Sequence, residues 1–161
     1  MPTYQPTPIG VFEIVGSELG VSSVKLCEKP GVPETFPEGH PVAACAEQLA
    51  EYFAGVRQVF EIRLDWGGAP DFHRLVWGEL LNIPYGQTTS YSAIAERLGN
   101  PDAVRAVGMA NRCNPIAIIV PCHRVIGKGG ELRGYFYGLG IKMQLLRHEN
   151  PVRFAEQGVL F

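Results

Sequence analysis

A cationic surplus is the first thing this chain lacks: 14 Lys and Arg stand against 16 Asp and Glu in 161 residues, a formal net charge of -2. Proteins that coat polyanions along their length carry a strong basic excess, so that class is excluded and any contact with nucleic acid has to be local. No apolar run approaches the length of a membrane span, and Met1-Pro2-Thr3-Tyr4-Gln5-Pro6 holds neither the basic nor the apolar stretch of a secretion signal, so a cytoplasmic location is expected. Cysteine is scarce and unpaired in pattern. Cys27, Cys45, Cys113 and Cys122 contain no C-x-x-C, which fits a reducing compartment rather than a disulfide framework. Cys27, His40, Cys45 and His73 have no compact ligand spacing either, and no metal is expected. Repeats and low-complexity segments are absent. What remains, with 46% hydrophobic and 19% charged residues, is the composition of a globular protein with one substantial core or two small lobes.

Alternation of apolar and polar residues predicts strands over 11–15, 20–26 and 60–64, with a helix over 42–53 in which Ala46, Leu49, Ala50 and Phe53 recur at helical spacing. The run Trp66-Gly67-Gly68-Ala69-Pro70 reads as a boundary. The fold class expected is therefore α+β, with a scaffold lobe over 1–67 and a mainly helical lobe over 68–161. In the second lobe a helix over 71–81 presents Phe72, Leu75, Val76 and Leu80 on one side, with Asp71 as its cap. A helix over 90–98 follows the turn Ile83-Pro84-Tyr85-Gly86-Gln87. Asn100 is then placed to cap a further helix, with Pro101 in the first helical position, running to Arg112.

The last two helices have the size and joint of a helix-turn-helix, which ordinarily lays its second helix in the major groove. That helix is slim at Ala103, Ala106, Gly108 and Ala110, while Arg105 and Arg112 project long cationic side chains. The chemistry lies further on, in Pro121-Cys122-His123-Arg124-Val125-Ile126-Gly127. After the apolar run Ile116-Ala117-Ile118-Ile119-Val120, a thiol is set beside an imidazole, and the thiolate is the attacking form of cysteine. Cys113 is the rival nucleophile but has no adjacent histidine. Glu149 falls at the C-terminal end of a helix, where the dipole disfavours a carboxylate and a cation is wanted nearby. An imidazolium at His123 would answer that need, as would Arg147 or Lys142.

Taken together these segments resemble the O6-alkylguanine-DNA alkyltransferases, also called methylated-DNA-protein-cysteine methyltransferases, closely from Phe72 to Glu149 and by size and strand order before that. The resemblance implies a ribonuclease-H-like first lobe and a direct repair reaction in which Cys122 irreversibly takes the alkyl group of O6-alkylguanine, with O4-alkylthymine as a further candidate. His123 then acts through a bridging water, Glu149 holds its far nitrogen, and Asn114 ties the hinge between recognition helix and active-site segment. The helix enters the minor groove of double-stranded DNA, Arg105 fills the gap left by the flipped nucleotide, Arg112 lies on the same helix, and Tyr91 helps rotate the nucleotide out and donates toward the ring's minor-groove nitrogen. The carbonyls of Cys122 and Val125 face the exocyclic amine, and the segment of Tyr135 and Phe136 borders the pocket, the Phe136 N–H reaching the guanine oxygen. No cofactor is implied, and the protein is expected to act as a monomer. Some relatives hold a structural zinc in the first lobe, for which this chain lacks the pattern.

One departure stands out. Tyr135-Phe136-Tyr137-Gly138-Leu139 occupies the place of a tyrosine, a small residue and two glycines, so the pocket is expected to be narrowed, favouring methyl over benzyl adducts unless both rings turn outward. Two other readings remain at this stage: a non-catalytic sensor of alkylated DNA, a class that replaces the nucleophile, and a cysteine hydrolase built on Cys122, His123 and Asn114.

Overall fold

Alternating side chains at Phe12 and Ile14, and buried Val21 and Val24 on either side of a register shift opposite Val15 and Gly16, commit two successive segments to one antiparallel hairpin, β2 (Gly10–Ser17) and β3 (Gly20–Cys27). A strand not legible in the sequence, β1 (Thr3–Thr7), pairs antiparallel with β2 and completes the sheet order β1-β2-β3. Pro6 hides it, since proline lacks the N–H a ladder needs, yet an edge strand tolerates that loss. Helix α1 (Pro41–Phe53) packs on this sheet through Val42, Cys45, Leu49 and Tyr52. The buried stripe is thus rotated from the expected one, leaving Ala50 exposed and Ala46 and Phe53 half-buried. His40 caps this helix, its Nδ1 accepting the Val42 N–H at 3.1 Å. The computed structural model describes residues 2–155; residues 1 and 156–161, the outer ends of the expected lobes, lie outside the described residues.

The expected strand over 60–64 does not form. Gln48 of α1 takes both backbone groups of Glu61, donating from Nε2 to its carbonyl at 3.2 Å and accepting its N–H at 2.8 Å, so the segment has no ladder to offer. Only Leu64 makes a single parallel bridge, to Val21 of β3. A second bridge on β3 joins Val24 to Ile116, with the Val24 N–H donating to the Pro115 carbonyl at 2.9 Å and the Ala117 N–H to the Val24 carbonyl at 3.0 Å. Two compact units result. One comprises the chain up to Gly68 together with Pro115–Ile119, the other Ala69–Asn114 and the chain from Val120 onward. The apolar run 116–119 is buried as expected but is not a regular strand, because Ile118 sits at φ 71°, a left-handed conformation that costs a β-branched residue of order 1–3 kcal/mol.

In the second unit, α2 (Asp71–Leu80) buries Val76, Trp77 and Leu80, and the Trp77 indole donates to the Ala110 carbonyl at 2.8 Å. That anchor turns the helix so that Leu75, expected inside, is 59% exposed. Asp71 is the first helical residue rather than the cap, and its carboxylate pairs with Arg74. After β4 (Thr89–Ser90), Ser90 Oγ accepts the Ala93 N–H at 3.1 Å and so caps α3 (Tyr91–Arg97). The stop is at Gly99, φ 77°, where Gly99 N–H donates to Glu96 and Asn100 N–H to Ala95, closing the helix with the paired bonds of a Schellman motif. Asn100 is thereby committed to ending α3. It does not cap the next helix, Pro101 and Asp102 form a turn, and α4 (Val104–Arg112) begins three residues later than Pro101, after Ala103. A single 3-10 turn over Cys122–Arg124, the short β5 (Val125–Ile126) and α5 (Leu139–Glu149) complete the unit. The α+β architecture expected from the sequence is the one found. Among the described residues no helix is long and apolar enough to cross a membrane.

Candidate active site

The parallel pairing of β4 with β5, Thr89 opposite Val125 and Ser90 opposite Ile126, is short but decisive for placement. It fixes the 3-10 turn carrying Cys122, His123 and Arg124 beside the start of α3, so Tyr91 faces the same region as the thiol. Asn114 adds a clamp, donating from Nδ2 to the Val120 carbonyl at 2.8 Å. Cys122 is 6% exposed. Burial pushes its thiol above the ordinary cysteine range, against side-chain hydrogen bonds from Asn114 and Tyr135 and the nearby Lys142 ammonium. The Cys122 carbonyl accepts the Val125 N–H and, at 3.3 Å, Asn111 Nδ2, so both of its lone pairs are engaged.

His123 is fully buried, and its Nε2 lies 2.7 Å from Glu149 Oε2. Its Nδ1 is buried with no hydrogen-bond partner among the described residues. Burial lowers the ring's affinity for a proton, Glu149 works the other way, and Arg124 and Lys142 reinforce the lowering. Glu149 is likewise buried. Burial pushes its carboxyl up, but the hydrogen-bonded His123 and Arg124 outweigh that and hold it well below the usual carboxylate range.

Which cation answers Glu149 is settled differently from either expectation about basic residues on its own helix. Arg124, buried in the same turn as the thiol, donates from Nε to Oε1 at 2.7 Å and from Nη2 to Oε2 at 2.9 Å, while Nη1 donates to the Ile83 carbonyl at 2.6 Å. Arg147 instead reaches the Phe154 carbonyl at 2.8 Å. Lys142 lies near the Cys122 sulfur, its Nζ 3.1 Å from the Arg133 carbonyl and 3.5 Å from Tyr91 Oη. Burial draws this ammonium down to about 8, with the Cys122 sulfur opposing. Arg124 and Asn111 were missed in the sequence, and Lys142 was named there only as a candidate partner of Glu149, not for its place beside Tyr91 and Cys122. For Lys142 a signal existed: with Leu145, Leu146 and Glu149 it forms one buried face of α5, so two charged groups sit in an apolar stripe.

A groove of about 560 Å³ in the same unit is lined by Tyr91, Arg105, Gly108, Arg112, Lys128 and Arg133, among others. Arg105 and Arg112 are exposed on α4, and the set is strongly cationic although the whole chain is not. Tyr91, half-buried, belongs to both places: it lines the groove, and its hydroxyl is pushed up by burial and by Cys122, with Arg133 opposing. Beyond the turn at Gly127, where any side chain would collide with the Glu131 carboxylate, the three rings of the departing segment separate. Phe136 is 67% exposed, whereas Tyr137 is half-buried and packs edge-on against Tyr135 at 5.7 Å and Phe136 at 5.1 Å. Of the residues singled out in the sequence, Cys122, His123, Glu149, Asn114 and Tyr135 form one connected cluster, and Tyr91, Arg105 and Arg112 line one groove.

Comparison with known proteins points in one direction. Residues 71–151 match the profile described as 6-O-methylguanine DNA methyltransferase, DNA binding domain, and residues 2–66 that described as 6-O-methylguanine DNA methyltransferase, ribonuclease-like domain. A methylated-DNA--protein-cysteine methyltransferase of Methanosarcina acetivorans is 46% identical over 147 residues, covering 89% of this chain and 94% of the relative. One from Mycobacterium tuberculosis is 44% identical over 146 residues, covering 89% and 88%. The crystal structure of Mycobacterium tuberculosis OGT in complex with DNA is similar with a TM-score of 0.81 at 42% identity, covering 93% of this chain and 92% of that one.

Proposed function

Because this chain belongs to the 6-O-methylguanine DNA methyltransferase family, its activity is direct repair of O6-methylguanine by transfer to a protein cysteine, and we propose that Cys122 is that cysteine. The observation that carries the assignment is the buried chain of contacts behind one sulfur: hydrogen bonds from Asn114 and Tyr135, a neighbouring imidazole with an open Nδ1, and Glu149 on the far side of that ring. Cys113, exposed and outside this cluster, has none of it.

The reaction is a displacement at carbon. The Cys122 thiol gives up its proton toward His123 Nδ1 through a bridging water, the sulfur forms a bond to the alkyl carbon, and the bond from that carbon to O6 breaks with its electron pair left on the base. The proton lost by the thiol ends on guanine, so the sum is one thioether and one repaired base. A thioether has no ready leaving route, and each chain reacts once. Tyr91 is the donor to the ring, and a proton offered there makes guanine a better leaving group. Lys142 supports it by donating to the Tyr91 oxygen, which leaves the phenolic hydrogen free to point at substrate. For the exocyclic amine the Val125 carbonyl is the better acceptor, since that of Cys122 is already occupied twice. The Phe136 N–H serves the guanine oxygen.

Double-stranded DNA is the partner, bound by α4 through the minor groove, with Arg105 filling the space of the extruded nucleotide and Arg112 on the flanking backbone. An extruded base costs a few kcal/mol in lost stacking, and a planar guanidinium recovers part of that by stacking and hydrogen bonding. The test is an oligonucleotide carrying O6-methylguanine, followed by peptide mass mapping. One methyl group per chain on Cys122, and none with Cys122→Ser, is the expected outcome; repeated turnover, or a methyl group on Cys113, rejects it.

A further inference from the structure

An acceptor of the thiol proton has to be an uncharged ring with a free lone pair, and a buried carboxylate beside a histidine works against that by favouring the imidazolium. Here the carboxylate is not alone. Both Glu149 oxygens are engaged by Arg124, at 2.7 and 2.9 Å, before the His123 ring meets Oε2 at 2.7 Å, and the Gly86 N–H adds a longer contact to Oε1 at 3.4 Å. Among the described residues, the charged groups that act on His123 are Glu149 and Lys142 of α5 and Arg124 of its own turn, with the Cys122 thiol its neighbour in sequence. Two cations against one carboxylate, in a site where the ring is wholly buried, leave no net negative charge to hold an added proton.

We propose that Arg124 is a positioning residue for the alkyl transfer, an inference that rests on the function assigned above: its paired bonds to Glu149 keep His123 an uncharged imidazole with hydrogen on Nε2, so that Nδ1 stays open toward Cys122. Arginine suits the place. Its guanidinium does not lose its proton, and its planar fork matches the two carboxylate oxygens, whereas lysine supplies a point charge and a single bond. The third arm of the fork, on the Ile83 carbonyl at 2.6 Å, fixes the guanidinium from the opposite side. Arg124 does not touch the sulfur in this arrangement; it acts through Glu149 and His123.

Nitrogen NMR of the full-length, unmethylated protein tests this without any turnover. In the wild type the His123 signals are expected to be those of the neutral ring protonated at Nε2 from pH 6 to pH 8, and an imidazolium at pH 7 overturns the proposal. In Arg124→Gln the coupled His123 and Glu149 take up a proton at higher pH, and the proposal requires it to reside on His123; a proton found on Glu149 with the ring still neutral also overturns it. Single-methyl transfer rates then divide the variants. Arg124→Gln is expected to lose rate at low pH, about tenfold for each pH unit below its new midpoint, and to recover toward alkaline pH. Arg124→Lys keeps the wild-type pH profile with a lower plateau. A loss that is uniform in pH for both variants marks a purely structural role and rejects the proposal. If Cys122 is never methylated the assigned function fails, while the His123 tautomer still decides the role of Arg124.

Discussion

A single ammonium explains much of the residue-scale electrostatics. Lys142 is fully buried, donates to a carbonyl and a phenol, and holds its proton only up to about 8. Among the described residues it is the cation that pulls the Cys122 sulfur toward its ionised form. Two opposing trends follow as pH rises: the thiolate becomes more abundant, and above about 8 the ammonium that supports it disappears. The transfer rate is therefore expected to pass through a maximum near that pH. Lys142→Met, similar in length and without charge, should be on the order of tenfold slower at pH 7 and should keep rising beyond pH 8. Single-turnover rates between pH 6 and 10 check this, and an unchanged alkaline limb in the variant removes Lys142 from the account.

At the scale of elements, the segment after Gly127 is expected to set what enters the site, because Tyr135 within it hydrogen-bonds the Cys122 sulfur. Tyr137 rather than Phe136 is the ring expected to restrict it, since Tyr137 packs against Tyr135, which in turn is hydrogen-bonded to Cys122, while Phe136 is exposed. Tyr137→Gly is expected to raise the rate with O6-benzylguanine relative to methylated DNA by on the order of tenfold, and Phe136→Ser to leave the ratio unchanged. Comparable wild-type rates with the two substrates defeat the idea of a narrowed pocket. How much of this was legible in the sequence varied with the range of the interaction. The hairpin β2-β3, α1, α2 and the stop at Gly99 follow from local pattern and backbone preference. The strand over 60–64 failed because a glutamine from α1 claimed its backbone, and α4 starts late because Pro101 and Asp102 are taken up by the turn that follows the stop of α3. Arg124 went unread for the same reason: it lies in the motif itself, but its partner is 25 residues away on α5, and no local pattern announces a bidentate pair. Cys122, His123 and Glu149 were legible because the resemblance, not the pattern, connected them.

For the whole molecule, the buried charges make acid the weak side of its stability. His123 is depressed in the folded state by burial, so the unfolded chain binds a proton first; the stabilisation from keeping it neutral is present above about 6.5 and is lost as pH falls from there. Glu149 is depressed by His123 and Arg124 against the effect of burial, and its contribution is present above about 4.3 and lost below it. Both have the same sign. Urea midpoints should decline from just below neutrality, in two stages, and Glu149→Gln should cost about 3–5 kcal/mol at pH 7 because it leaves Arg124 buried without its partner. A midpoint that stays flat from pH 7 to pH 5 speaks against a neutral buried His123. The slight overall negative charge belongs to this scale too: with cations gathered in one groove, affinity for DNA should fall only gently with salt.

The short passage Pro115–Ile119 has a practical consequence of another kind. It is stitched by hydrogen bonds to Val24, although the residues on either side of it, Asn114 and Val120, belong to the other compact unit. A fragment beginning at residue 69 would carry that passage stripped of its mate, presenting bare amide edges and an oily run to every neighbouring molecule. Anyone trimming this repair protein to a minimal reagent would do better to keep the hairpin, or to rewrite those five positions, than to cut at the glycines.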